Sequence, residues 1–212
     1  MTVKEAIEEY EIELPAISYD SDSLCDYFFI EDYKQRKLFL SDKISQDTVL
    51  DVVRHIMQFN KEDKGKDVAS RTPIILYISS VGGDVDAGFE LIDVIISSKT
   101  PVHTVNLGFQ YSMGFLIGLA GDKRYGTKNA KYLMHDGSAL YYNSGSKICD
   151  QMEFQQKELN KIKNYVLSRS KLTSEEYDSK WRVEWYMFAD EAKEKGFVDF
   201  IIGDDCDMDE II

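Results

Sequence analysis

Basic residues, cysteines, histidines and long apolar runs are all scarce in this sequence. Lys and Arg total 25 against 38 Asp and Glu, a formal net charge of −13, and a surface of that sign repels phosphate backbones and anionic lipid headgroups. Nucleic acid and membrane surfaces are therefore not expected as partners. The three cysteines, Cys25, Cys149 and Cys206, stand far apart and form neither a CxxC pair nor a zinc spacing. That argues against a disulfide framework or metal knuckle and fits free thiols in a reducing compartment. No stretch approaches the roughly 20 apolar residues of a membrane helix, since the richest segment, 107–121, carries Gln110 and Ser112 and ends at Asp122. The first fifteen residues are acidic where a signal peptide needs a basic start and an apolar run of about 7–15 residues. A soluble, cytoplasmic protein is expected.

What is present is enough for one sizeable domain: 212 residues, 43% of them hydrophobic. Residues 1–33 are rich in Glu, Asp and Tyr with weak periodicity, which fits an acidic arm either loosely held or ordered only against a neighbouring subunit. A globular domain is expected over 34–203. Within it Lys37 to Leu40 is strand-like, and Ser45 precedes Val49, Val52, Val53 and Ile56 at helical spacing. Residues 60–67 form a charged loop, and Pro73 opens the apolar run Ile74 to Ile78, suited to a buried strand. A glycine turn at Gly82-Gly83, a helix over 87–97, a strand over 102–107, a turn at Gly108, a helix over 112–120 and a strand around 132–134 follow. Residues 147–168 place Ile148, Met152, Leu159, Ile162 and Val166 on one face of a long helix. A short helix after Thr173, a helix over 190–195 stopped by Gly196, and a strand over 198–202 complete an alternation that predicts an α/β fold. Residues 204–212 alternate carboxylates but lack the loop glycine and distal glutamate of a calcium loop, so a solvated acidic tail is expected.

Three short segments carry candidate chemistry. Gly82-Gly83 follows a buried strand, where backbone N–H groups with no side chain in the way suit an oxyanion, although paired glycines are also ordinary turn residues. Ser112 opens a predicted helix, where unpaired N–H groups stabilise negative charge on a nucleophile or tetrahedral intermediate, or where the serine simply caps the helix. It is not in a GxSxG elbow, because Gln110 stands two positions before it. His135 lies at the mouth of a strand, whereas His55 falls within an amphipathic helix and His103 within a strand. A serine activated by histidine needs a third group to fix the imidazole tautomer, and carboxylates are too abundant for composition to choose one.

Taken together these segments, in this order and spacing from Arg36 to Ile202, resemble the proteolytic subunit of the ATP-dependent Clp protease. The resemblance implies a crotonase-like fold of repeated strand-strand-helix units with a protruding handle helix over 147–168. It implies a serine endopeptidase that cleaves unfolded polypeptides through an acyl-enzyme, with Ser112 as nucleophile and His135 as general base. Gly83 and Met113 would supply the oxyanion N–H groups. Glu184, just before Trp185-Tyr186, stands where the family's triad aspartate is expected, and Asp178 is the nearest upstream carboxylate that could substitute. Assembly into a stacked pair of heptameric rings, an AAA+ unfoldase as partner and no cofactor or metal are further implications. Gln110, Tyr111 and Val81 depart from the family's usual residues. A catalytically inactive ring subunit and a crotonase-like acyl-CoA enzyme are the competing readings.

Overall fold

The computed structural model describes residues 21–211, and residues 1–20 of the expected arm lie outside them. The described residues fall into two units that divide between Gln35 and Arg36. The first carries helix α1 (Ser21–Lys34), in which Lys34 pairs with Glu31 one turn back at 2.8 Å. Its apolar residues make no stripe at helical spacing, so the sequence pattern did not announce it.

The second unit contains β1 (Lys37–Leu40), α2 (Gln46–Glu62), β2 (Ile74–Ser80), α3 (Val85–Ser97), β3 (Val102–Tyr111), α4 (Met113–Gly118) and β4 (Lys123–Thr127). It continues through β5 (Lys131–Met134), α5 (Gly145–Ser168), α6 (Ser174–Lys180), β6 (Trp185–Phe188), α7 (Ala189–Glu194) and β7 (Phe200–Ile202). The strands run β1-β2-β3-β4-β7, all parallel, with β5 also parallel to β3 and β6 antiparallel to β5. Parallel neighbours need covering elements on their faces. On one face α2 and α3 bury Val49, Val52, Ile56, Leu91 and Ile95, with Ser45 capping α2 and Asp84 capping α3.

The placement of the site depends on β3, which forks. Residues 103–106 pair with β4, whereas Phe109 to Tyr111 pair with β5. Asn106, fully buried at the fork, donates to Lys131 O and accepts from Gly108 N, both at 3.0 Å. Gly108, expected at a turn, is therefore inside a ten-residue strand. The Asn106 side chain supplies the bond that a turn would otherwise make. The pattern also passed over β4 and β6, which are short and, in β6, alternate buried and exposed residues. Residues 60–62, expected in a loop, extend α2.

Within the acidic tail, Asp204, Asp205 and residues 207–210 are exposed, while Ile211 anchors its end. Ile211 is 5% exposed and packs with Ile75, Tyr77, Val105, Tyr125 and Ile202 on the sheet face away from α2 and α3. Two of the exposed carboxylates also tie the segment to the domain. Asp205 accepts from Ile201 N at 2.6 Å and pairs with Lys193, and Asp204 pairs with Lys128 at 3.1 Å. Among the described residues no helix is long and apolar enough to cross a membrane. The long helix α5 buries Ile162 and Val166 near its C-terminus and leaves Met152 and Phe154 exposed towards its N-terminus.

Candidate active site

Ser112 occupies a strained turn from β3 into α4, with φ 54° and ψ −122°. A non-glycine residue there costs about 1–3 kcal/mol and persists only where its surroundings hold it. Here Ser112 N donates to Leu133 O at 3.0 Å, and Ser112 O accepts from Phe115 N and Leu116 N at 3.0 and 3.2 Å. The turn is thus tied to β5, the strand that ends beside His135. Close approach explains two glycines around it. A Cβ on Gly82 would stand 2.7 Å from Ser112 Cβ and 2.9 Å from Met113 N, and one on Gly114 would stand 3.1 Å from Ser80 Cβ. Gln110, an obstacle to a GxSxG reading, is accommodated differently: its buried side chain lies over Gly118, where a Cβ would meet its Oε1 at 2.2 Å.

The Gly82-Gly83 loop follows β2 and is clamped by a residue the sequence did not single out. Ile44 N donates to Gly82 O at 3.0 Å, and Asp84 N donates to Ile44 O at 2.9 Å. That pairing leaves the N–H of Gly83 unused, and it makes no other hydrogen bond among the described residues. Gly83 must be glycine, since a Cβ would meet Ile44 O at 2.2 Å. Ser80 reinforces the loop by donating to Asp42 O at 2.6 Å while accepting from Gly82 N at 3.1 Å. The first N–H groups of α4, that of Met113 included, are likewise outside the helix ladder.

His135 follows β5 and is held from one side. Its Nδ1 lies 2.9 Å from Glu184 Oε1, and Tyr186 donates its hydroxyl to Glu184 Oε2 at 3.3 Å. Antiparallel pairing of β5 with β6 puts Trp185 opposite Met134 and so brings Glu184 alongside His135. Tyr111 packs edge-on against Tyr186 with ring centres 5.7 Å apart, so the aromatic residue before Ser112 buttresses the support of the carboxylate. His135 Nε2 is buried and has no hydrogen-bond partner among the described residues. With Nδ1 committed to a carboxylate, the imidazole tautomer with its proton on Nδ1 is favoured and Nε2 is left to accept.

Ser112, Met113 and His135 line one small cavity of about 50 Å³, walled by Val85, Phe115, Leu116, Met134, Ile162 and Trp181. Asp178 does not reach this histidine; both its oxygens bind Lys163, at 2.6 and 2.7 Å. His55 on α2 and His103 on β3 remain outside the cluster, and burial together with nearby Lys123 pushes the His103 pKa down. Among the described residues no three His, Cys, Asp or Glu side chains gather as a metal site.

The family model described as Clp protease matches residues 25–205. The chain belongs to the Clp protease family. It is 30% identical over 183 residues to the "ATP-dependent Clp protease proteolytic subunit 2" of Treponema pallidum (strain Nichols), covering 85% of this chain and 89% of that protein. The protein of the same description from Nocardia farcinica (strain IFM 10152) is 30% identical over 174 residues, 80% of this chain and 81% of its own. That from Treponema denticola is 32% identical over 160 residues, 74% of this chain and 71% of its own. Family membership carries with it the crotonase-like fold and a ClpP-type peptidase. The parallel sheet with β5 and β6 splitting away agrees with that fold. Of the residues near the site, Ile44 escaped the sequence reading, and Tyr186 entered it only as a neighbour of Glu184. Tyr186 carried a signal in its spacing of two from Glu184, which immediately precedes β6, whereas Ile44 carried none.

Proposed function

We propose that the chain is a serine endopeptidase that cleaves unfolded polypeptides through an acyl-enzyme. The observation that carries the proposal is a histidine fixed at Nδ1 by Glu184, with its buried Nε2 unpartnered, in one cavity with a serine held at positive φ. Ser112 Oγ attacks the scissile carbonyl carbon as His135 Nε2 takes its proton. The oxyanion is held by the N–H groups of Gly83 and Met113, each such donor being worth about 3–4 kcal/mol of barrier in comparable enzymes. His135 then gives the proton to the leaving amine, and water, deprotonated by the same nitrogen, releases the acyl group. Glu184 does not take a proton; it orients the imidazole and stabilises its charged form.

Backbone pairing of an extended peptide with the strands beside the site gives affinity with little sequence preference. The apolar walls of the cavity favour an apolar side chain at the cleaved bond. By relation to the family, the working form is a stacked pair of heptameric rings fed by an AAA+ unfoldase in the cytoplasm, and α5 with exposed Met152 and Phe154 is the element that joins the rings.

The test is hydrolysis of short fluorogenic peptides, which need no unfolding partner. Ser112→Ala and His135→Ala should each abolish turnover, and the double variant should be no worse than either, because nucleophile and base act as a unit. Near-normal turnover in Ser112→Ala would reject the assignment. An inactive ring subunit would show no turnover in the wild type, and an acyl-CoA enzyme would instead bind coenzyme A.

A further inference from the structure

Glu184 immediately precedes β6, its side chain is 59% exposed, and it carries one more rotatable bond than an aspartate in the same place. An exposed side chain of that length samples several rotamers, and holding one of them costs conformational entropy. The hydrogen bond between Oε1 and His135 Nδ1, at 2.9 Å, fixes one oxygen and leaves the carboxylate free to turn about it. The second anchor is the Tyr186 hydroxyl, 3.3 Å from Oε2. Residues two apart on an extended chain point the same way, which brings hydroxyl and carboxylate together without a turn.

Tyr186 is in turn placed by its neighbours rather than by burial, since it is 57% exposed. It stands opposite Leu133 on β5, and Leu133 stands opposite Tyr111 on β3. Side chains directly opposite one another share a face of the sheet, so the two tyrosines flank Leu133, which is buried between them. Their rings meet edge-on, with centres 5.7 Å apart and planes at 90°. Phe109, two residues back on β3, adds a ring 5.2 Å from that of Tyr111. Partial desolvation and the charge of Glu184 push the Tyr186 pKa up, so the hydroxyl keeps its proton and donates it to the carboxylate. Ser112 follows Tyr111 directly, so one row of rings runs from the serine turn to Glu184.

We infer that Tyr186 is a positioning residue of the catalytic site, holding the second oxygen of Glu184 through its hydroxyl, with Tyr111 as the brace that sets its ring. The inference rests on the peptidase reading above and deepens it. Two departures in the sequence then belong together: an acid one methylene longer than aspartate at 184, and an aromatic ring in place of a small residue before the serine. The ring before the serine places the hydroxyl that the longer acid requires. An aspartate at 184 that kept its bond to His135 would fall about a bond length short of the Tyr186 hydroxyl.

The test is steady-state hydrolysis of a fluorogenic peptide by the full chain, beside fluorophosphonate labelling of Ser112 and a melting curve. Tyr186→Phe removes only the hydroxyl and should lower kcat and the labelling rate roughly tenfold, the effect of one hydrogen bond to a charged group. KM and the melting temperature should hardly move. Tyr111→Phe keeps the edge contact and should retain turnover, whereas Tyr111→Leu should lose about as much as Tyr186→Phe, and the two together no more than either. A second cycle pairs Tyr186→Phe with Glu184→Asp: the shorter acid does not reach the hydroxyl, so removing it should cost nothing further in that background. A normal kcat in Tyr186→Phe, a change confined to KM, or additive losses in either cycle would overturn the inference. Turnover and Ser112 labelling in the wild type report separately on the peptidase reading: without them both readings fall, and with them the variants judge the positioning role alone.

Discussion

Two ionic constellations, one buried and one open, sit at opposite ends of the parallel strands, and they are satisfied to very different degrees. Before β1, β2 and β3, fully buried Asp63 accepts from Arg36 Nη1 at 2.5 Å and Nη2 at 2.9 Å, from Lys66 Nζ at 2.7 Å and from Thr100 Oγ1 at 3.0 Å. Each of its lone pairs is used, and the Arg36 guanidinium holds its carboxyl far below the usual carboxylate range. Beyond the other ends of those strands the His135–Glu184 pair is half-made: Glu184 is largely exposed and His135 Nε2 has no partner. A saturated ionic cluster locks strands together and has nothing left to offer a substrate. An unsaturated one, held by a strained serine turn and a clamped glycine pair, keeps its bonding capacity open, as the proposed reaction requires.

Four substitutions sharpen or break that contrast. The largest expected effect is on turnover at the open end, where Glu184→Gln should lower kcat on the order of 10⁴-fold because an amide can hold the wrong imidazole tautomer. Thermal stability should hardly change, since the pair is too exposed to contribute much. Peptide kinetics beside a melting curve checks both, and Asp178→Asn serves as the control that should retain turnover. Gly82→Ala should come next, with kcat about 10²-fold lower, because its Cβ displaces the Ser112 backbone by a fraction of an ångström.

At the saturated end the effect should fall on stability instead. Asp63→Asn leaves Arg36 without its buried anion and should cost about 3–5 kcal/mol in denaturant unfolding. Because the folded-state pKa of Asp63 is depressed, its stabilisation is present above about pH 4, the ordinary carboxylate range, and is lost progressively as the pH falls below it. The acid limb of the stability profile should therefore flatten in Asp63→Asn. Smallest is Ile211→Ala, which uncovers the Tyr77 and Tyr125 face and should cost about 1.5 kcal/mol without altering turnover.

The sequence was most legible where one physical signal dominated. Apolar runs located β2 and α2, caps at Ser45 and Thr173 located helix starts, and the order of glycine pair, serine and histidine located the elements around the candidate site. It was least legible where a distant partner decides the outcome. Gly108 resembled a turn until the buried Asn106 amide closed the local bond, and nothing in the exposed acidic tail announced that Ile211 packs on an apolar face 134 positions from Tyr77 in the chain (211 − 77). Glu184 was legible only through resemblance. Its choice over Asp178 rests on β5–β6 pairing, a contact between strands some fifty residues apart that no local pattern encodes.

The central claim is that the open constellation activates Ser112, and covalent labelling tests it most directly. The folded wild-type protein is treated with a fluorophosphonate probe, and the adduct is located by peptide mass spectrometry. A single adduct on Ser112, formed much more slowly in His135→Ala and Glu184→Gln, is the predicted result. An adduct on another residue, or a Ser112 adduct that forms as fast without His135 as with it, would contradict the account.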